Sequence, residues 1–236
     1  MHLLIPAAGS GRRMGATQNK LLLPLRERPI LAWTLAAADA AESITWIGVL
    51  GQPCDWPAFQ EILSTYPLQT PVELIQGGAT RQESVWRGLQ YLASQAGVTH
   101  VLIHDGARCL VSPTLLDRCS QALTEVEALI AAIPVKDTIK ILEPERGDPL
   151  PRIASTPDRN HLWAAQTPQG FNFWQLLQAH EQAAQAHWQV TDDAALFEKL
   201  GRPVYIVEGE ETNLKVTTPL DLRLAETLLK TSQQPC

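Results

Sequence analysis

The sequence predicts an α/β protein with a largely parallel central sheet flanked by helices. Short apolar runs of strand length alternate with helical segments along most of the 236 residues, the pattern of a sheet wrapped by its own connections. The first run opens directly into a glycine-rich basic loop, and folds of this class bind ligands beyond the carboxyl ends of their strands. Apolar residues make up 45% of the chain without a run of eighteen, which permits a sizeable core in one domain and predicts no transmembrane helix.

The elements follow in order. His2–Pro6 reads as a short buried strand, and Ala7–Gly15 as a loop of small residues with basic side chains. Pro29–Ala41 is Ala-rich and predicts a helix, and Ile44–Leu50 a second strand. Trp56–Tyr66 predicts a helix, and Val72–Gln76 a third strand closed by the turn Gly77–Gly78. In Gln82–Gln95, Val85, Leu89 and Leu92 are spaced for one helix face. Val101–His104 is the strongest strand candidate. Pro113–Val126 predicts a helix with Pro113 near its start, where a missing N–H costs nothing, and Ala128–Pro134 another strand. The pattern then changes. Thr138–Leu142 and Arg152–Thr156 alternate around the turn-rich stretch Glu143–Pro151, which predicts a two-stranded excursion. Leu162–Thr167 is expected to return to the sheet. Helices at Asn172–His187 and Asp192–Leu200, strands at Val204–Val207 and Leu214–Val216, and a helix at Pro219–Lys230 complete the chain. In the last helix Leu222, Ala225, Leu228 and Leu229 share one side.

Charge narrows the function classes. The chain carries net −6, yet residues 1–30 hold five basic groups (Arg12, Arg13, Lys20, Arg26, Arg28) and one acid (Glu27), a local +4. A generic basic nucleic-acid binder is not expected at this net charge, because such proteins draw affinity from many neutralised phosphates. Cys54, Cys109, Cys119 and Cys236 are scattered without a C-x-x-C pair, so no zinc or dithiol motif is suggested and a reducing interior is expected. The opening segment lacks a basic stretch before its apolar run, which favours a buried strand over a signal peptide.

The basic cluster points to an anion site. Glycines let a strand-to-helix turn bring backbone N–H groups close to phosphate oxygens, and Arg12, Arg13 and Lys20 add charge for a polyphosphate. The loop is neither G-x-x-x-x-G-K-[ST] nor G-x-G-x-x-G, which counts against a dinucleotide-binding dehydrogenase. Pro6-Ala7-Ala8-Gly9-Ser10-Gly11-Arg12-Arg13-Met14-Gly15, with Lys20 beyond, resembles the nucleotidyltransferase motif of sugar-phosphate cytidylyltransferases. More narrowly, the chain resembles the 2-C-methyl-D-erythritol 4-phosphate cytidylyltransferase family of the non-mevalonate isoprenoid pathway. Gly77 through Val85, His104 through Arg108, Pro134 through Lys140, Leu162 through Gln169, Thr191 through Ala194, and Gly209 with Asn213 through Thr217 match in order. Cys109, Gly106 and Leu21-Leu22 stand where the family often has Pro, Ala and Gln-Tyr; none removes a named charge.

The resemblance implies a Rossmann-like sheet of nucleotidyltransferase type over residues 1–236, with residues 137–160 forming a protruding dimerisation arm. It implies transfer of the CMP moiety of CTP to 2-C-methyl-D-erythritol 4-phosphate with release of pyrophosphate. A phosphate monoester is already a competent anion. The demand is therefore to bring two anions together and stabilise charge at the α-phosphorus. Arg13, Lys20 and Lys215 are the expected catalytic cations. Ala7, Ala8, Gly9, Gly11, Gly77, Gly78, Ser84, Asp105 and Arg108 are the expected nucleotide-binding residues, with backbone groups and Ser84 reading cytosine. Asp105 is the expected Mg2+ ligand, since Mg2+ suits one carboxylate plus triphosphate oxygens and water. Thr138, Arg159, Thr167, Thr191 and Lys215 are the expected polyol-phosphate cradle, with Thr138 and Arg159 supplied by the partner of a homodimer. The nearest alternatives are a ribitol 5-phosphate cytidylyltransferase or another sugar-phosphate nucleotidyltransferase, and a nucleotide-binding regulator without chemistry. A cytoplasmic protein with neither nucleic-acid nor membrane partners is expected, and a mature plastid protein fits as well.

Overall fold

The computed structural model describes residues 1–9, 19–144, 147 and 149–231; Gly11, Arg12, Arg13 and Cys236 lie outside the described residues. The strands are β1 (His2–Pro6), β2 (Pro24–Leu25), β3 (Arg28–Pro29), β4 (Trp46–Gly51), β5 (Val72–Gln76), β6 (His100–Ile103), β7 (Ala128–Pro134), β8 (Ile141–Leu142), β9 (Ile153–Ser155), β10 (Trp163–Asn172) and β11 (Tyr205–Glu208). The helices are α1 (Ile30–Asp39), α2 (Trp56–Thr65), α3 (Arg81–Ala93), α4 (Pro113–Ala122), α5 (Phe173–Gln185), α6 (Ala194–Lys199) and α7 (Pro219–Thr231).

Seven strands form the main sheet in the order β11-β7-β10-β6-β1-β4-β5. β10 runs antiparallel to β6 and β7, and the other pairings are parallel. The central strands are buried on both faces, so β1 is apolar at consecutive positions. Leu3 and Ile5 join the core layer of α1 and α4, with Ile30, Leu35, Leu115 and Leu116, while Leu4 joins the layer of α3 and α5, with Val85, Leu89 and Leu176. From β1 the chain moves outward to β4 and β5, then returns to place β6 on the other side of β1. That reversal opens a crevice beyond the ends of β1 and β6, where Ala7 and Asp105 follow their strands.

Four expectations change. The helix expected over Pro113–Val126 is the shorter α4, ending at Ala122. No strand forms at Leu214–Val216. The Val216 N–H instead donates to the Ala107 carbonyl at 2.8 Å, and its carbonyl accepts from Lys20 Nζ at 2.9 Å, so the segment is fastened to loops. The return strand β10 continues beyond Thr167 to Asn172, whose side chain caps α5 by accepting from the Gln175 N–H. The helix expected at Asp192–Leu200 is the shorter α6, because Asp192 stays outside and accepts the Ala195 N–H at 3.1 Å. The excursion does form two strands, with Ile141 opposite Ser155 and Leu142 opposite Ile153.

Candidate active site

The crevice at the strand reversal has a volume of about 240 Å3. Ala7, Ala8 and Gly9 form one wall, Gly78 and Ser84 another, and Lys20, Asp105 and Lys215 the charged floor. Local chemistry explains each placement. Asn19 donates from Nδ2 to the Ala7 carbonyl at 2.6 Å and to Asp55 Oδ2 at 2.8 Å, fixing the residue next to Lys20. Thr80 caps α3 by accepting the Glu83 N–H, and Glu83 reaches back to the Ala79 N–H at 2.7 Å. The N-terminus of this 13-residue helix thus borders the crevice, where its dipole favours an anion.

Asp105 is the electrostatic centre. Its Oδ2 lies 2.6 Å from Lys215 Nζ, its Oδ1 accepts from Arg81 Nε at 3.2 Å, and Arg108 Nε stands 4.0 Å away. Burial alone would raise this carboxyl, but the charges of Arg81, Lys215 and Arg108 outweigh it and hold it well below the usual carboxylate range. The Asp105 N–H donates to Thr167 Oγ1 at 3.0 Å, and Thr167 Oγ1 lies 3.0 Å from Nδ1 of fully buried His104. Burial brings His104 down to about 4, so it is neutral. Its Nε2, facing the Arg108 carbonyl at 3.1 Å, then carries the proton, and Nδ1 accepts the Thr167 O–H. A break in register between Ala165 and Gln169 of β10 brings Thr167 into this chain.

Lys20, Lys215, Asp105, Ala7, Ala8, Gly9, Gly78 and Ser84 line this crevice together. Several of the expected residues also have partners inside the protein. Ser84 is buried, and its hydroxyl accepts the Gly78 N–H at 3.0 Å and donates to the Thr80 carbonyl at 2.8 Å, so it holds the wall. The Gly77 N–H is likewise engaged by the Gly51 carbonyl. A β-carbon on Gly78 would fall inside the Glu83 side chain. Arg108 is outside the crevice lining and donates to the carbonyls of Asn213 (2.7 Å) and Ala165 (3.3 Å). Thr167 braces Asp105 from within the protein. Thr138, Arg159 and Thr191 are exposed and outside the lining; Arg159 donates to the Lys136 carbonyl at 2.9 Å. Gly106 and Leu21, two departures from the family pattern, touch each other: a β-carbon on Gly106 would meet Leu21 Cδ1 at 2.9 Å. The glycine makes room for the leucine.

Arg81 is the functional candidate that sequence reasoning passed over. It lines the crevice, binds Asp105 and also donates to Asp193 Oδ2 at 2.6 Å, while its buried Nη2 has no partner among the described residues. Its place at the first position of a helix opened by a glycine turn was the available signal.

A divalent cation entering with a substrate would meet one carboxylate among the described residues of this crevice, Asp105. One buried carboxylate is already neutralised by cations of the protein itself. No group of three or more His, Cys, Asp or Glu able to hold a metal occurs among the described residues, so a cation at Asp105 would need its other ligands from phosphate oxygens and water.

Known proteins resemble this chain over nearly its whole length. The family model described as IspD, 2-C-methyl-D-erythritol 4-phosphate cytidylyltransferase, matches residues 1–231. A 2-C-methyl-D-erythritol 4-phosphate cytidylyltransferase of a Synechococcus species is 67% identical over 98% of this chain and 97% of its own. One from Trichormus variabilis is 61% identical over 97% of each. Among solved structures, a 4-diphosphocytidyl-2C-methyl-D-erythritol synthase from Anaerococcus prevotii superposes with a TM-score of 0.83 at 30% identity, covering 97% of this chain and 95% of its own. The Thermus thermophilus cytidylyltransferase gives 0.75 at 35% identity, covering 97% and 98%.

Proposed function

The chain belongs to the 2-C-methyl-D-erythritol 4-phosphate cytidylyltransferase family, and we propose that the crevice around Asp105 is where its reaction takes place. The enzyme transfers the CMP moiety of CTP to 2-C-methyl-D-erythritol 4-phosphate, giving 4-diphosphocytidyl-2-C-methyl-D-erythritol and pyrophosphate in isoprenoid precursor synthesis. The observation that carries the assignment of the site is the convergence of Arg81 and Lys215 on the buried Asp105 carboxylate at the strand reversal, in a crevice that Lys20 also lines.

CTP lies with its base against Gly77–Gly78 and its triphosphate toward the N-terminus of α3 and the lysines. The N–H groups of Gly77 and Gly78 are engaged within the protein, and their carbonyls already accept from Arg87 Nη1 at 2.9 Å and Gln52 Nε2 at 2.8 Å, so the base is read through the second lone pair of these carbonyls, which accepts from the exocyclic amine of cytosine and rejects the carbonyl of uracil. Asp105 would hold Mg2+ together with phosphate oxygens, and a bound Mg2+ neutralises and orients the triphosphate. Lys215 leaves Asp105 for phosphate as the nucleotide enters. Lys20, Lys215 and Arg13 stabilise the charge that gathers on the α-phosphoryl oxygens as the substrate phosphate attacks and pyrophosphate departs. No protein base is needed.

The polyol phosphate is bound by Lys215, with Thr191 at the rim and with Thr138 and Arg159 of a second copy. Both arm residues are exposed and lie outside the crevice of their own chain, which suits donation to another. Of the eleven large apolar side chains exposed among the described residues, five lie in the arm: Ile139, Ile141, Leu142, Leu150 and Ile153. A two-stranded ribbon with such a surface is marginal alone, and a homodimer covers it. We place the protein in the cytoplasm: Cys54, Cys109 and Cys119 are free thiols, and no helix among the described residues is long and apolar enough to cross a membrane.

The direct test is incubation with CTP, 2-C-methyl-D-erythritol 4-phosphate and Mg2+, with identification of the diphosphocytidyl product. Asp105→Asn is expected to remove Mg2+-dependent turnover. Turnover retained in that variant overturns the site, and preference for ribitol 5-phosphate overturns the cradle.

A further inference from the structure

Behind the crevice carboxylate stands a buried relay that the reaction as described does not use. Arg81 Nη1 donates to Asp193 Oδ2 at 2.6 Å while its Nε donates to Asp105 Oδ1 at 3.2 Å. Asp193 is buried, and its Oδ1 lies 2.9 Å from Nε2 of buried His180 on α5. A carboxylate at this position only accepts, so Nε2 carries the proton. Trp86 of α3 stacks on the His180 ring at 6.0 Å between centroids, and the Asp193 N–H donates to Gln169 Oε1 at 3.1 Å. The packing of α3 and α5, the start of α6 and strand β10 thus fixes one guanidinium.

Lys215 meets the same carboxylate on other terms. Its side chain is 38% exposed, sits on an irregular segment and touches Oδ2 at 2.6 Å. An ammonium on a flexible stem changes partners readily; a guanidinium forked between two carboxylates does not.

We propose that Asp193 and His180 are positioning residues that act through Arg81: they lock it on Oδ1 of Asp105, so that Oδ2 is the oxygen that exchanges Lys215 for a divalent cation. The proposal rests on the reading of Asp105 as a metal ligand. Without the relay, Arg81 swings between the two oxygens and competes with the cation it should admit.

The test titrates Mn2+ into the full chain with CTP present, following loss of the free-ion paramagnetic resonance signal, beside kinetics at varied Mg2+. His180→Leu is expected to weaken Mn2+ binding about tenfold and raise half-saturating Mg2+ equally, the range for outer partners of metal ligands. The KM for 2-C-methyl-D-erythritol 4-phosphate stays within about twofold, since polyol contacts are untouched. His180→Gln, whose amide N–H can replace the Nε2 donor, restores Mn2+ affinity to within about threefold of the parent. Arg81→Lys, which keeps the charge but cannot fork, reproduces the loss and carries the test should His180→Leu fail to fold. Unchanged Mn2+ affinity in His180→Leu, with affinity lost in Asp105→Asn, overturns the relay. Equal losses in both His180 variants also overturn it, because packing alone then explains them. Unchanged affinity in Asp105→Asn overturns instead the metal-site reading beneath it.

Discussion

In the crevice, Asp105, Asp193, Arg81 and Lys215 answer one another within a single chain, whereas the arm leaves Ile141, Leu142 and Ile153 half exposed. The crevice is set at the ends of strands buried on both faces, and its carboxylate, Asp105, is paired with Arg81 and Lys215. The arm has two short strands, and both are exposed along their whole length among the described residues. One region is preorganised by its own core, and the other, on the proposed reading, is completed by a second copy.

The sharpest way to break this contrast is Lys20→Ala. Its Nζ bonds the Val216 carbonyl at the crevice floor, and its loss should lower kcat/KM by about 10²–10³-fold, as for a donor to a developing oxyanion. Thermal unfolding should move little; near-normal turnover removes Lys20 from the reaction. Next comes the arm itself. Ile141→Lys with Ile153→Lys should convert dimer to monomer in sedimentation velocity, because each buried aliphatic side chain contributes about 1.5–3 kcal/mol. Circular dichroism should be unchanged, and an unchanged sedimentation coefficient sinks the dimer reading.

Arg159→Ala tests whether the two regions meet. It should raise the KM for the polyol phosphate about tenfold, a loss of about 1.4 kcal/mol, with the KM for CTP unchanged. Equal effects on both substrates would place Arg159 elsewhere. The smallest effect concerns pH. Burial would raise the Asp193 carboxyl, but the Arg81 charge and the His180 hydrogen bond hold it at about 2, below its ordinary 3.8. Its contribution to stability is thus present above pH 3.8 and is lost as pH falls toward 2. The gap in melting temperature between the parent and Asp193→Asn should narrow across that window. A constant gap would show that the charge is not what Asp193 contributes.

Much of the crevice was legible as order along the chain. β1 and β6 announce themselves as apolar runs, and the residues that follow them, Ala7–Gly9 and Asp105, fall where such strands deliver ligands. The arm was legible as a change of period. What could not be read was who binds whom. The hydroxyls of Ser84 and Thr167 suggested ligand contacts, yet both are taken up inside the protein, because a buried hydroxyl must find partners wherever the packing puts them. Arg108 was drawn from the crevice lining to two backbone carbonyls for the same reason. Leu214–Val216 carries strand-like residues, but Ala107 and Lys20 take its backbone groups before any strand can.

The sequence by itself determined the fold class, the family and the set of charges available, since periodicity and motif order are local properties carried by neighbouring residues. The tertiary structure alone decided that Arg81 joins Asp105 to Asp193 and His180, across separations of 24 and 112 residues. Such a pairing is written nowhere in the local pattern. It exists because α3 and α5 pack on the same face of the sheet and bury opposite charges together, where each must be answered by the other.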